Sequence, residues 1–264
     1  MNRYEKIFGK DRIVVGMVHL KALPGSPGYC GDLEEVYKAA EKDLKANIEG
    51  GCNALIVENF GDVPYAPKND LITVTAFASI AARLRKLTKI PMGINCQFND
   101  VEAEWALAYA CDYDFIRVEV LAENRCGPNG ILEAAGPKLM RLRGRYPKDI
   151  AVLADVNVKH TFALAEQPLA FTIESCIEAG ADALILTGIT TGKSPEVADA
   201  QEFKKLAKGT PVFVGSGVSE KNARDFFEVI DGAIVGSSFK KGGIVTAPVD
   251  KKRVKRFIDI IKSI

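Results

Sequence analysis

Short apolar runs recur along the whole chain: RIVVGMVH (12–19), ALIVEN (54–59), PMGINCQ (91–97), FIRVEV (115–120), IAVLADVNV (150–158), ALILTG (183–188), PVFVGSG (211–217) and GAIVGSS (232–238). Each is too short for a helix, and valine and isoleucine without polar alternation are the pattern of strands covered on both faces. Amphipathic stretches lie between them. Leu33, Val36, Tyr37, Ala40, Leu44 and Ile48 form one helical stripe, and Val254, Phe257, Ile258 and Ile261 form another. Helix starts are signalled by Asp32 with Glu35 three residues on, a capping-box spacing, by Ser194 before Pro195, and by Asp250 before the last stripe. Glycine stops follow in EGGCNALIV and EAGADALIL.

The count is eight strand–helix units in 264 residues, with no composition shift to mark a linker. This predicts one domain over 1–264 of the α/β class, a closed (β/α)8 TIM barrel. A doubly wound open sheet is the alternative, but its first turn usually carries G-x-G-x-x-G, and GMVHLKALPG does not.

Composition narrows the partners. With 35 basic and 34 acidic residues there is no net field to attract nucleic acid or a membrane surface. No apolar run reaches the ~18 residues needed to span a bilayer, and the charged N-terminus MNRYEKIFGKDR is not a signal peptide, so a cytoplasmic location is expected. Cys30, Cys52, Cys96, Cys111, Cys126 and Cys176 show no C-x-x-C spacing and read as reduced thiols. Barrels of this kind commonly form homo-oligomers, and that is the expectation here.

Candidate chemistry enters at the strand ends. In TIM barrels the active site lies at the C-terminal ends of the strands, and a phosphate site commonly uses the loops after the last two. Here those loops are Gly215, Ser216 and Gly217, and Gly236, Ser237 and Ser238. Glycine lets backbone N–H groups approach an anion, serine adds a donor, and a helix N-terminus adds partial positive charge. Tight turns favour glycine and serine for conformational reasons alone, but two such turns in these two places point to a small phosphorylated ligand. Lys240 and Lys241 follow at once and read either as added charge or as exposed solubilising residues. An FMN phosphate would suit the same turns, although no extra segment for its ring system is apparent.

Ionisable groups recur at the other strand ends. His19, Glu58, Arg117, Asp155, Lys159 and His160 are the catalytic candidates; Asn59, Asn95, Glu119 and Thr187 are candidates for binding substrate. His19 and His160, the two histidines of the chain, titrate near neutrality in the ordinary case and suit general acid or base work. Asp155 interrupts an apolar run, where a carboxylate needs a partner such as Arg117, Lys159 or a metal. Glu58, Glu119 and Asp155 could together hold Mg²⁺, or could instead form salt bridges with Arg117. Lys159 could also serve as a Schiff-base nucleophile. Two long loops, LKALPGSPGYCGD and LAENRCGPNG, read as lids.

The segments GMVHLKALPGSPGY, GGCNALIVENFGDVPY, DFIRVEVL, VLADVNVKH, ADALILTGITTGKSP, VFVGSGVSEKN and DGAIVGSSFKKGG resemble, in colinear order, the BtpA family. The resemblance implies a ribulose-phosphate-binding type of barrel. It also implies either an enzyme, which the two turns would make one acting on a phosphorylated small molecule, or a photosystem I biogenesis factor that keeps the barrel as a scaffold. The positions it matches include His19, Glu58, Asn59, Arg117, Asp155, Lys159, His160 and both glycine–serine turns. The family form ADVHVKH has a histidine where this chain has Asn157, so a base or ligand role at that position does not carry over.

Overall fold

A computed structural model describes residues 2–187 and 195–264 of the protein; Ser194, read above as a helix start, lies outside them. The strands in chain order are β1 (Ile13–His19), β2 (Ala54–Glu58), β3 (Met92–Asn95), β4 (Phe115–Val118), β5 (Arg125–Gly127), β6 (Gly130–Leu132), β7 (Ala151–Val156), β8 (Phe162–Ala163), β9 (Ala183–Leu186), β10 (Val212–Val214) and β11 (Gly232–Val235). Eight of them close a parallel barrel in the order β1-β11-β10-β9-β7-β4-β3-β2, as the eight apolar runs predict. The remaining β5, β6 and β8 form a small sheet of order β6-β5-β8. Part of LAENRCGPNG thus belongs to an antiparallel hairpin in which Cys126 pairs with Ile131.

Residues alternate across the barrel wall. Ile13, Val15 and Met17 point inward with Ile56, Leu153, Ile185 and Ile234, while Val14 and Val18 face the helices. Two rings, Phe115 and Phe213, fill much of the interior, and two glycines make room for them. A Cβ on Gly93 would lie 2.2 Å from the Phe115 ring, and one on Gly232 would lie 2.4 Å from the Phe213 ring. The N-terminal end is plugged by a short helix, α1 (Arg3–Phe8), that hydrophobic periodicity does not announce. Its Phe8 packs against Phe115 at a ring separation of 5.2 Å, and its Tyr4 against Phe213 at 6.1 Å.

The outer helices are α2 (Leu33–Gly50), α3 (Leu71–Arg85), α4 (Val101–Ala110), α5 (Gly136–Arg145), α6 (Leu169–Glu178), α7 (Val197–Leu206), α8 (Ala223–Phe227) and α9 (Lys251–Lys262). The stripes of α2 and α9 bury Val36, Tyr37, Ala40 and Leu44, and Val254, Phe257, Ile258 and Ile261, as read. Asp32 caps α2 by accepting from the Glu34 and Glu35 N–H groups, but Glu35 reaches Lys21 at 2.6 Å instead of returning to Asp32, so the box is half made. Asp250 caps α9 through the Lys252 N–H at 2.9 Å.

Lys240 departs from the sequence reading. It is 2% exposed and paired with Asp43 of α2, which also accepts the Val249 N–H at 2.8 Å. A buried lysine needs its counter-charge, so this cation fastens the end of the barrel to α2 and is withdrawn from the ligand site. Among the described residues no helix is long and apolar enough to cross a membrane.

Candidate functional site

The C-terminal end of the barrel opens into a cavity of about 1030 Å³. Strand register sets its floor. In the β1–β2 ladder His19 is the Cα partner of Glu58, and in the β2–β3 ladder Glu58 is the partner of Asn95. Of the catalytic candidates, His19, Glu58, Arg117, Lys159 and His160 line the cavity, and Glu119 joins them. Asp155 stands behind Arg117, whose Nε and Nη2 donate to its two carboxylate oxygens at 2.9 and 3.1 Å. This two-point contact is that of an ion pair. Burial opposes charge on Arg117, yet Asp155, Glu58 and Glu119 around it more than offset that and hold the guanidinium charged.

The surrounding acids and the lysine are pushed toward their neutral forms. Burial raises the Glu58 carboxyl, against the opposing pull of Arg117. Glu119 is raised to about 8, by burial first and despite Arg117 and the Asn95 hydrogen bond. Burial and then the Arg117 charge lower the Lys159 ammonium, so this half-buried amine gives up its proton more readily than a surface lysine.

Behind Glu119 lies a second carboxylate that the sequence does not flag. Asn95 Nδ2 donates to Glu119 Oε1 at 2.7 Å and to Glu104 Oε1 of α4 at 3.2 Å, and Glu104 Oε1 also accepts the Cys96 N–H at 2.9 Å. The second oxygens of both glutamates and Asn95 Oδ1 are buried with no partner among the described residues. Burial raises Glu104 well above the carboxylate range, and the charge of Glu119 adds to the effect. Two acids this close cannot both ionise cheaply, so the pair retains a proton.

The histidines differ in surroundings. His19 stacks on Phe60 at 4.3 Å and 17°, and its Nδ1 is buried with no partner among the described residues. Burial, then the Lys240 charge, lowers it to about 3, so it is a neutral imidazole at ordinary pH. His160 is exposed, in left-handed backbone at φ 66°, and is lowered by burial and Lys159. Asn59, Asn95 and Thr187 do not line the cavity. Asn59 accepts the Gln97 N–H at 2.7 Å and donates to Asp62 and Asn69 at 3.0 and 3.1 Å, ordering the loops after β2 and β3. Thr187 accepts the Lys159 N–H at 3.3 Å through Oγ1.

The two glycine–serine turns form one side of the mouth. Gly215 has no room for a side chain, since a Cβ there would meet Ile185 at 2.6 Å and Thr187 at 2.8 Å; Gly217 takes the left-handed φ of 78° that favours glycine. The Ser216 hydroxyl donates to the Thr187 carbonyl at 2.8 Å and is not free for a ligand. By contrast, the N–H groups of Gly217, Ser237 and Ser238 donate to no acceptor among the described residues. Arg253 of α9 also lines the cavity here, with Nε donating to the Ser238 carbonyl at 2.7 Å. It lies in the basic run KKRVKR, where nothing local marks it, whereas Lys240, which the sequence left open as added charge or a solubilising residue, is buried against Asp43.

The suggested Mg²⁺ set does not assemble. Both Asp155 oxygens are taken by Arg117, and among the described residues no three acidic, histidine or cysteine side chains group to hold a metal ion.

A relative in Synechocystis, the photosystem I biogenesis protein BtpA, is 39% identical over 93% of this chain and 86% of its own. The tryptophan synthase alpha chain of Legionella pneumophila superposes with a TM-score of 0.66 at 13% identity, covering 100% of this chain and 98% of its own. Thiamine phosphate pyrophosphorylase of Pyrococcus furiosus does so with 0.59 at 15%, covering 96% and 97%. At such identities the structures show a shared barrel fold. The BtpA family model matches residues 10–263, and the chain belongs to that family.

Proposed function

We propose that this BtpA-family barrel binds a small phosphorylated molecule and acts on it by acid/base chemistry. The observation that carries the reading is the N–H groups of Gly217, Ser237 and Ser238, which meet no acceptor among the described residues, with Arg253 beside them, on a cavity floored by Glu58, Arg117, Glu119 and Lys159. Backbone N–H groups converging at the ends of the last two barrel strands are how this fold receives phosphate.

The floor supplies the proton transfers. Glu119, protonated near neutrality, is placed to donate, while Glu58 or Lys159 accepts, and the Arg117–Asp155 pair fixes a positive charge where an oxyanion would develop. Lyase, isomerase and phosphate-ester reactions all use such parts. The neutral His19 beside the Gly236 turn is a hydrogen-bonding group there, its Cε1 lying 3.4 Å from where a Cβ on Gly236 would stand.

A thermal-shift screen with inorganic phosphate, sugar phosphates and nucleotides tests the reading. The wild type should be stabilised and the Ser237→Asp variant, which brings negative charge to the turn, should not. The likeness to the Synechocystis biogenesis protein supports a second reading, a scaffold without chemistry; silence across the panel favours it.

A further inference from the structure

The cavity is larger than a phosphate and a few carbons require, and its walls are unlike one another. At about 1030 Å³ it matches the upper end of the pockets that enclose drug-sized ligands. Barrel order places the anion side against its opposite. In the closed ring β1-β11-β10-β9-β7-β4-β3-β2, β10 stands four strands from β3, and β11 four from β4. The loop after β3 therefore faces the turn at 215–217 across the mouth, and the loop after β2 lies beside it.

Those loops present flat apolar groups. Phe60, Tyr65 and Phe98 line the cavity, with Pro64 beside them. Their orientation is held from behind. The Tyr65 hydroxyl donates to the Phe60 carbonyl at 2.8 Å, and Tyr65 and Phe98 stand 6.5 Å apart at 45°. Phe98 packs on Val120, Leu132 and Val158. All three rings are only half-buried in the free protein, so each keeps surface that a ligand can cover. Aromatic faces left open toward a cavity lose water favourably to a planar ring and gain little from a sugar hydroxyl.

We infer that the phosphorylated ligand carries a planar unsaturated ring that packs against Phe60, Tyr65 and Phe98 while its phosphate sits on the turns at 215–217 and 236–238. The ligand class is then a nucleotide or another phosphorylated heterocycle, and the reacting atoms lie between the two ends, over Glu58, Glu119 and Lys159. The inference rests on the phosphate reading proposed above and narrows it.

Titration calorimetry with matched probes separates the two. Inorganic phosphate and ribose 5-phosphate serve as ringless probes; the four common ribonucleoside 5′-monophosphates and pyridoxal 5′-phosphate serve as ring-bearing ones. At least one ring-bearing probe should bind about tenfold or more tightly than ribose 5-phosphate. Tyr65→Leu and Phe98→Leu, which keep apolar bulk and remove the flat face, should abolish that preference while leaving the ribose 5-phosphate affinity within about twofold. Melting curves confirm that both variants are folded. Ribose 5-phosphate binding as tightly as every ring-bearing probe, or a preference that survives both variants, would overturn the inference and leave the phosphate reading standing. Failure of every probe, inorganic phosphate included, would remove both.

Discussion

Glu104 and Glu119 lie on either side of one amide: Asn95 Nδ2 donates to a carboxylate oxygen of each, at 3.2 and 2.7 Å. Both acids are raised by burial, so over the pH range between the ordinary carboxylate value and their raised values the folded protein binds more protons than the unfolded chain. Stability contributed by these groups is full at low pH and declines as pH rises toward about 8. Glu104→Gln removes one titrating acid and keeps a hydrogen-bonding side chain. Chemical denaturation at pH 5 and pH 8 should show the wild type losing on the order of 1–2 kcal/mol more than this variant between the two. Equal losses would show that the pair holds no shared proton.

His19 gives the opposite slope. Its lowered folded value, about 3, means that the unfolded chain takes up a proton as pH falls below the usual histidine range while the folded protein does not. That contribution is intact above pH ~6.5 and is lost as pH falls. Histidine NMR should show one ring, His19, unchanged from pH 5 to 8, and a second, exposed His160, titrating below the ordinary value. Two rings titrating together near 6.5 would be inconsistent with the buried placement of His19.

Arg117 and Asp155 should be energetically inseparable. Asp155→Asn leaves a buried guanidinium short of its two-point partner and should cost about 3 kcal/mol in urea unfolding, the usual loss when half of a buried pair is removed. A loss below about 1 kcal/mol would mean that Glu58 and Glu119 already balance the charge.

The barrel interior makes a packing prediction. Gly232→Ala places a methyl 2.4 Å from the Phe213 ring and should destabilise by about 1–3 kcal/mol. Phe213→Leu on its own should also destabilise, but combined with Gly232→Ala it should recover part of the loss; strict additivity in the double-mutant cycle would show that the two positions do not compensate.

The barrel was legible because each strand is buried on both faces and so appears as a short, mainly apolar run rich in valine and isoleucine. Most of the ionisable floor was legible too, since Glu58, Arg117, Asp155 and Lys159 interrupt or follow those runs. What was hidden depends on distant partners. Lys240 finds Asp43 at 197 positions' remove, so nothing local distinguishes it from the exposed Lys241. Glu104 and Arg253 lie in ordinary helical charge patterns, VEAEWALAYA and KKRVKR, and acquire meaning only when α4 and α9 are docked on the barrel. The strands β5 and β6, three residues each, are too short to carry a period. Asn59 and Asn95 do stand at strand ends as read, but their amides are spent on loops and carboxylates.

The claim on which the account turns is that the ends of β10 and β11 form an anion site. Backbone amide NMR during an inorganic phosphate titration tests it most directly. The Gly217, Ser237 and Ser238 amide signals should move together, saturably and more than any others, and the movement should be lost in Ser237→Asp. Phosphate that leaves these three amides unmoved, or moves signals only elsewhere on the protein, would contradict it.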